Sequence, residues 1–284
     1  MVARAEQKEY TRFDLVPTFG GLEMLRARYQ HMQFPKHIHE TYCISVIEEG
    51  VQRFYRSGAE HVAPTGDIII VNAEDVHTGS AALASGWGYR AIYPHPSLLQ
   101  SLLAEVHSEA GTVPWFDQAV IHDPELAQQL RLAFGLLQQP RNTLLKETTL
   151  AVALTQLMLR HARLVADRAV MDLDRPLLWR VRDYLHADPG RDFSLTELAE
   201  LAQLSPWHFL RQFQRLFGLT PHAYLLQVRI RLAKQRLRQG QSIASVAQQC
   251  GFTDQSHLNR HFKKTVGVTP GAFVQGFKPR VNLV

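Results

Sequence analysis

The chain is poor in cysteine. Cys43 and Cys250 are its only two in 284 residues, too few for a disulfide framework. No apolar run approaches the ~18 residues that a membrane span needs. Residues Met1 to Glu9 are polar and lack the hydrophobic stretch of a secretory signal. These absences exclude a disulfide-stapled scaffold and a helical membrane protein, and lead to the expectation of a soluble, cytoplasmic protein with no membrane partner. A third scarcity is local: from Arg175 to Val284 there are 6 Asp and Glu against 16 Lys and Arg, whereas residues 1–174 carry 20 against 15. A basic block joined to a mildly acidic one suggests a nucleic-acid-binding domain attached to something else. Neutralising phosphates releases counterions, so such binding should weaken with salt.

The basic block repeats itself. One copy runs Leu198-Ala199, Leu204-Ser205-Pro206-Trp207, Phe213 and Gly218-Leu219-Thr220-Pro221 with Tyr224. The other runs Val246-Ala247, Gly251-Phe252-Thr253-Asp254, Phe262-Lys263-Lys264 and Gly267-Val268-Thr269-Pro270 with Phe273. The offset is 49 residues from Phe213 onward and 48 upstream, so the second copy carries one extra residue in its turn. Two units are too few for a solenoid and suit a pair of helix-turn-helix units. Ser194-Leu195-Thr196-Glu197 has the form of a capping box. Ser205 before Pro206 makes an N-cap followed by a proline at the first helical position, and Gly218 suits a left-handed C-cap. Ser242 and Asp254 cap the corresponding helices of the second copy. Between the units, residues 221–239 keep a helical period. Nineteen residues at a 1.5 Å rise span roughly 28 Å, close to the ~34 Å between successive major-groove windows on one face of DNA. One module reading a bipartite half-site is the expectation.

From Ser242 to Phe273 these residues resemble the AraC/XylS family of transcription regulators, and the likeness covers about 100 C-terminal residues. The resemblance implies that the second helix of each unit enters the major groove. Carried over by position, it assigns base and backbone contacts to Trp207, Leu210 and Arg211 in the first unit. In the second it assigns them to Gln255, Ser256, His257, Asn259 and Arg260, with Lys263 and Lys264 on the same helix. Arg can pair with guanine, Gln or Asn with adenine, and Trp or Leu can meet thymine methyls. Leu210 departs from the polar residue common at its position. The implied partners are double-stranded promoter DNA and RNA polymerase.

The N-terminal half reads differently. Between Thr41 and Tyr93, short apolar or alternating runs stand between turn residues such as Glu49-Gly50, Ser57-Gly58 and Pro64-Thr65-Gly66. Many short strands at close spacing, with no helix between them, suggest an antiparallel barrel or jelly roll. The run Pro35-Lys36-His37-Ile38-His39-Glu40, then Gly50, Pro64-Thr65-Gly66-Asp67 and His77, resembles the ligand-binding cupin of AraC-type regulators. In metal-binding cupins three histidines and an acid hold one ion. Here His37, His39 and His77 match the histidines, Cys43 stands at the acid position, and Asn72 and Glu74 replace the usual proline and glycine. Three imidazoles and a thiolate could bind zinc, but the resemblance to regulators implies a pocket with no metal and no cofactor. His37, His39, Tyr42, His77, Trp87, Tyr89 and Arg90 are the candidates to line it for a small-molecule effector. Arg90, if turned inward, would favour a carboxylate.

Two amphipathic helices follow, Glu125 to Leu137 and Leu144 to about Leu164, with a turn at Pro140-Arg141-Asn142. Apolar positions on more than one face of the second suggest burial against both the barrel and a partner chain, making a homodimer. The expected architecture is α+β in two domains. A cupin-like antiparallel β-barrel with accessory helices spans residues 1–165, and a linker 166–176. An all-α DNA-binding domain spans 177–278, with helix-turn-helix units at about 195–217 and 243–266. The leading functional expectation is a ligand-responsive transcription regulator rather than an enzyme. The alternative is a metal-binding cupin enzyme fused to a DNA-binding module.

Overall fold

The computed structural model describes residues 8–104, 112–139, 142–166 and 176–277. These gather into two compact units. One holds the residues up to Gln33 and from His39 to Ala166; the other holds Phe34–Ile38 and the helices from Pro176 onward. The expected linker falls mostly outside the described residues, as do Pro140 and Arg141 of the expected turn.

The first unit is built on antiparallel ladders. Its strands are β1 (Tyr10–Val16), β2 (Leu22–Tyr29), β4 (Cys43–Arg56), β5 (Ala59–Pro64), β6 (Ile68–Val71), β7 (His77–Ala81), β8 (Trp87–Tyr93), β9 (Thr112–Trp115), β10 (Val120–Ile121) and β11 (Arg163–Ala166). Strand β3 (Phe34–His37) lies in the segment grouped with the second unit. The helices are α1 (Pro96–Ala104), α2 (Pro124–Leu137) and α3 (Thr143–His161). The main path of pairing is β1-β2-β8-β4-β6-β10. Strand β4 is long enough to serve two sheets: Ile44 to Gly50 pairs β8, and Val51 to Arg56 pairs β5. The sheet-rich architecture matches expectation; the ladders, however, form an open path rather than a closed ring among the described residues.

Two glycines allow β4 and β8 to meet. Gly50 and Gly86 both have positive φ, and a Cβ on Gly50 would lie 2.1 Å from the Gly86 carbonyl oxygen. Alternation then assigns the two faces of the sheet. Met24, Ile44, Val46 and Ile92 turn to one side and form a core with Leu126, Leu130 and Phe134 of α2 and Leu150 and Leu154 of α3. Glu23, Leu25, Ala27, Tyr29, Cys43, Ser45, Ile47, Trp87, Tyr89, Ala91 and Tyr93 take the other, inner face.

Asn72 and Glu74, which depart from the cupin pattern, both have local roles. The Asn72 amide donates to Asp75 and to the Phe116 carbonyl, and its own oxygen accepts from the Phe116 amide at 3.0 Å. Arg56, 1% exposed, closes the same network by donating to Asp75 and to the carbonyls of Phe116 and Gln118. Glu74, where the cupin pattern has glycine, has a left-handed backbone with φ 63°, and its amide donates to the His39 carbonyl. Helix α3 ends three residues before the expected Leu164. Ala162 turns extended, and Arg163–Ala166 pairs with β9 instead.

The second unit contains α4 (Pro176–Ala187), α5 (Leu195–Leu201), α6 (Pro206–Phe217), α7 (Pro221–Arg238), α8 (Ile243–Gln249), α9 (Gln255–Val266) and α10 (Pro270–Gln275). Its cores are aromatic. Phe209 and Phe213 of α6 are fully buried, as are Phe262 of α9 and Phe273 of α10. Phe213 packs edge-on against Tyr224, and Phe262 against Phe273. These are equivalent pairs in the two repeats.

Candidate nucleic-acid interface and sensor site

Each reading helix starts on the cap expected for it. The Ser205 hydroxyl accepts from the His208 amide, and Pro206 follows at the first helical position. Asp254 accepts from the His257 amide at 2.7 Å. The helices end at Gly218 and Gly267, both left-handed. In α5 the capping box is complete: Ser194 accepts from the Glu197 amide, and the Glu197 carboxylate takes the Ser194 amide. That carboxylate is held below its usual range, first by the Tyr184 hydroxyl and also by Arg191 and the Ser194 amide.

The caps fix which face each helix offers to solvent. On α6, Phe209 and Phe213 turn inward, which leaves Trp207, Arg211, Gln214 and Arg215 exposed. Leu210 is half-buried at the edge of that face. Trp207 is 59% exposed and carries the Arg211 guanidinium 4.6 Å above its ring. On α9, Leu258 and Phe262 turn inward and Gln255, Ser256, Arg260, Lys263 and Lys264 outward, with Asn259 half-buried. His257 is spent locally. Its Nδ1 meets the amide and hydroxyl of Thr253, and its ring packs on Phe252 and His261. Thr253 is the extra residue of the second turn. Gln214 and Arg215 are not among the sequence candidates, although their spacing of three and four from Arg211 places them on its face.

The sensor candidates divide by face. His39 and His77 come together with ring centroids 5.0 Å apart, and His39 stands 5.4 Å from Tyr93. Tyr89 lies on the same inner face, with Tyr29 at 6.3 Å. Trp87 is fully buried beside Tyr29, and its indole nitrogen has no hydrogen-bond partner among the described residues. Burial pushes the Tyr29 hydroxyl up to about 12, and Tyr89 and Tyr93 well above their ordinary value. The Cys43 thiol is pushed up to about 12 by burial, a shift that its hydrogen bond with Tyr93 opposes. His37 is buried, with Nδ1 2.7 Å from the Pro35 carbonyl oxygen. Tyr29, Ser45 and Tyr93 are absent from the sequence candidates.

Two candidates are corrected. Arg90 does not lie on the inner face. Alternation sends it to the helix-covered side, where it holds Glu48 at 3.0 Å and donates to the Arg131 carbonyl. Tyr42 shares the face of Ile44 and is core: it is 2% exposed, donates to the Pro114 carbonyl at 2.6 Å and packs edge-on against Phe116.

Both halves have known counterparts. Residues 19–154 match the AraC-like ligand binding domain and residues 198–276 a helix-turn-helix domain. The uncharacterized HTH-type transcriptional regulator YbfI of Bacillus subtilis (strain 168) is 29% identical over 84% of this chain and 86% of its own. The HTH-type transcriptional activator RhaS of Escherichia coli (strain SE11) is 24% identical over 93% and 95%. Among solved structures, a single-substitution variant of apo ToxT from Vibrio cholerae strain SCE256 superposes with a TM-score of 0.60 at 12% identity, covering 90% of this chain and 98% of that one. Wild-type ToxT bound to an unsaturated fatty acid gives 0.57 at 12% identity, covering 95% and 96%. The likeness to ToxT shows a shared fold. Matched in both halves, the chain belongs to the AraC family of transcription regulators, with an AraC-like ligand-binding domain ahead of a helix-turn-helix DNA-binding domain.

Proposed function

We propose that α6 and α9 read two adjacent major-groove boxes of one promoter half-site, under control of a small effector held on the inner face of the sensor sheet. The observation that carries this reading is the exposed polar face common to both helices: Trp207, Arg211 and Arg215 on one, Gln255, Arg260, Lys263 and Lys264 on the other. Arginines and amides on exposed helices supply base-edge hydrogen bonds, and the lysines neutralise phosphate. The 18-residue α7 between the units spans about 27 Å, which suits neighbouring grooves.

The inner face favours an effector without a carboxylate. On β2, β8 and the first half of β4 its polar positions carry phenols, an indole, a thiol, a serine and the carboxylate of Glu23, but no Lys or Arg. ToxT differs in having been solved with a fatty acid; the arginines of these strands, Arg26, Arg28 and Arg90, take the opposite face, so the inner face has no cation for such a ligand. An organic effector rather than a resident metal is proposed, because the position that bears an acid in metal-binding cupins is here Cys43, and Asn72 and Glu74 replace the proline and glycine of that pattern. Elemental analysis of purified protein checks this, and stoichiometric iron or manganese, lost on His39→Ala, would revive the enzyme reading.

The protein acts as a homodimer through α3. One face of that helix is buried in its own unit through Leu150, Ala153, Leu154, Leu157 and Met158. A second apolar row, Leu145, Val152 and Leu159, is exposed at a spacing of seven, with Thr149 and Gln156 between. Such a row is the seam that a second helix covers. The whole reading is tested by incubating full-length protein with a randomised duplex pool and a panel of small metabolites. Enrichment of a two-box sequence is expected, along with a compound that raises Tm by mass action and alters retention of that sequence. A pool with no enriched sequence would overturn it.

A further inference from the structure

Arg229 sits in the middle of α7 and is almost fully buried, at 9% exposure. No carboxylate lies within ion-pair distance of it among the described residues. Its guanidinium is instead shared among three backbone carbonyls from two parts of the module. Nε donates to Pro189 at 2.8 Å and Nη2 to Arg191 at 2.9 Å, both in the loop that leads into α5. Nη1 donates to Gly251 at 2.6 Å, in the turn between α8 and α9. Around this group the two backbones touch. A Cβ on Gly190 would lie 2.7 Å from the Gln249 carbonyl oxygen, and one on Gly251 would lie 2.7 Å from the Gly190 oxygen and 2.8 Å from the Arg229 guanidinium carbon.

Helix α7 alone would join the two reading units by one rod, free to bend at its ends. The guanidinium adds a second connection, from the entry of the first unit to the turn of the second. Its planar fork has five donors in fixed directions. A lysine there could follow one carbonyl but could not hold three.

We infer that Arg229 is a positioning residue that sets the separation and twist between the two reading helices, and with them the spacing of the two DNA boxes that the protein accepts. It touches no base. A shift of one base pair moves a box by about 3.4 Å along the duplex and about 34° around it, so a rigid pair of readers must discriminate spacing sharply. A pair joined by α7 alone would tolerate it.

The inference rests on the two-box reading above, and one experiment separates their failures. Full-length wild type and Arg229→Met are each used to select from a randomised duplex pool. Affinities are then measured on the selected sequence with one base pair added or removed between the boxes. Wild type should lose about tenfold or more on either change, the size of a lost base contact. Arg229→Met should lose less than about threefold while keeping the same base preferences within each box. Equal weakening on every spacing would show a merely structural role and overturn the inference, as would an unchanged spacing preference. A wild-type pool without two boxes would instead sink the two-box reading. If the methionine variant does not fold, Arg229→Lys is measured in the same way, and a folded lysine variant with wild-type spacing discrimination also overturns it.

Discussion

Gln203 and Gly251 occupy the same position in the two helix-turn-helix turns, and both are left-handed, with φ of 56° and 75°. Each is followed by a residue whose amide reaches back to the preceding helix, Leu204 to Ala199 and Phe252 to Ala247. Only the second turn has the residue that adopts this conformation without strain. For an L side chain it costs roughly 1–2 kcal/mol, and glycine's extra freedom when unfolded returns about 0.5–1 of that. Gln203→Gly should therefore stabilise the protein by about 0.5–1 kcal/mol, read as a higher Tm. Gly251→Ala should destabilise it by more, since its Cβ would meet Gly190 and Arg229.

Lys263 and Lys264 are exposed on α9, close to its C-terminal end. Replacing either with alanine should weaken binding to all duplexes about equally and lower the slope of log affinity against log salt by about 1. A change confined to one sequence would mean that the lysine reads a base.

His261 provides a pH dependence. Its pKa is pushed down to about 4, first by burial and then by His257, Arg260, Lys264 and His222. The folded state thus prefers the neutral ring, while the unfolded chain takes a proton near 6.5. Stability from this group is present above about 6.5 and is lost as pH falls toward 4. Tm should drop across that window, and His261→Gln should drop less. Equal slopes for the two proteins would contradict the assignment.

On α3, Val152→Glu places a charge in the middle of the exposed row without touching the buried face. Sedimentation should report a dimer for wild type and a folded monomer for the variant, whose Tm is lower only by the lost association and no longer depends on protein concentration. A wild-type monomer would leave Leu145, Val152 and Leu159 as ordinary surface.

The DNA module was legible nearly residue by residue, because caps and glycines act locally. Ser205, Asp254, Gly218 and Gly267 lie where their chemistry requires, and the offset of 48 against 49 located Thr253. The sensor was legible in kind but not in facing. A single strand does not reveal which of its two faces will be covered, so the sequence alone offers Arg90 and Tyr42 to the pocket, whereas alternation with Ile92 and Ile44 carries them to the helix side. Tyr29 is not among the candidates because the strand pattern is read only from Thr41 onward, although Gly20-Gly21 marks a turn between β1 and β2. Arg229 shows no local sign at all: its three carbonyls come from Pro189, Arg191 and Gly251, all far from it in the chain.

The central claim is that α6 and α9 each read bases in their own box. It is tested most directly by comparing the base-preference profiles of wild type, Arg211→Ala and Arg260→Ala on one selected site. Each variant should lose preference in a different box, by about 1–3 kcal/mol at one position, with the other box unaltered. Profiles identical to wild type for both variants would contradict the placement of these helices in the grooves.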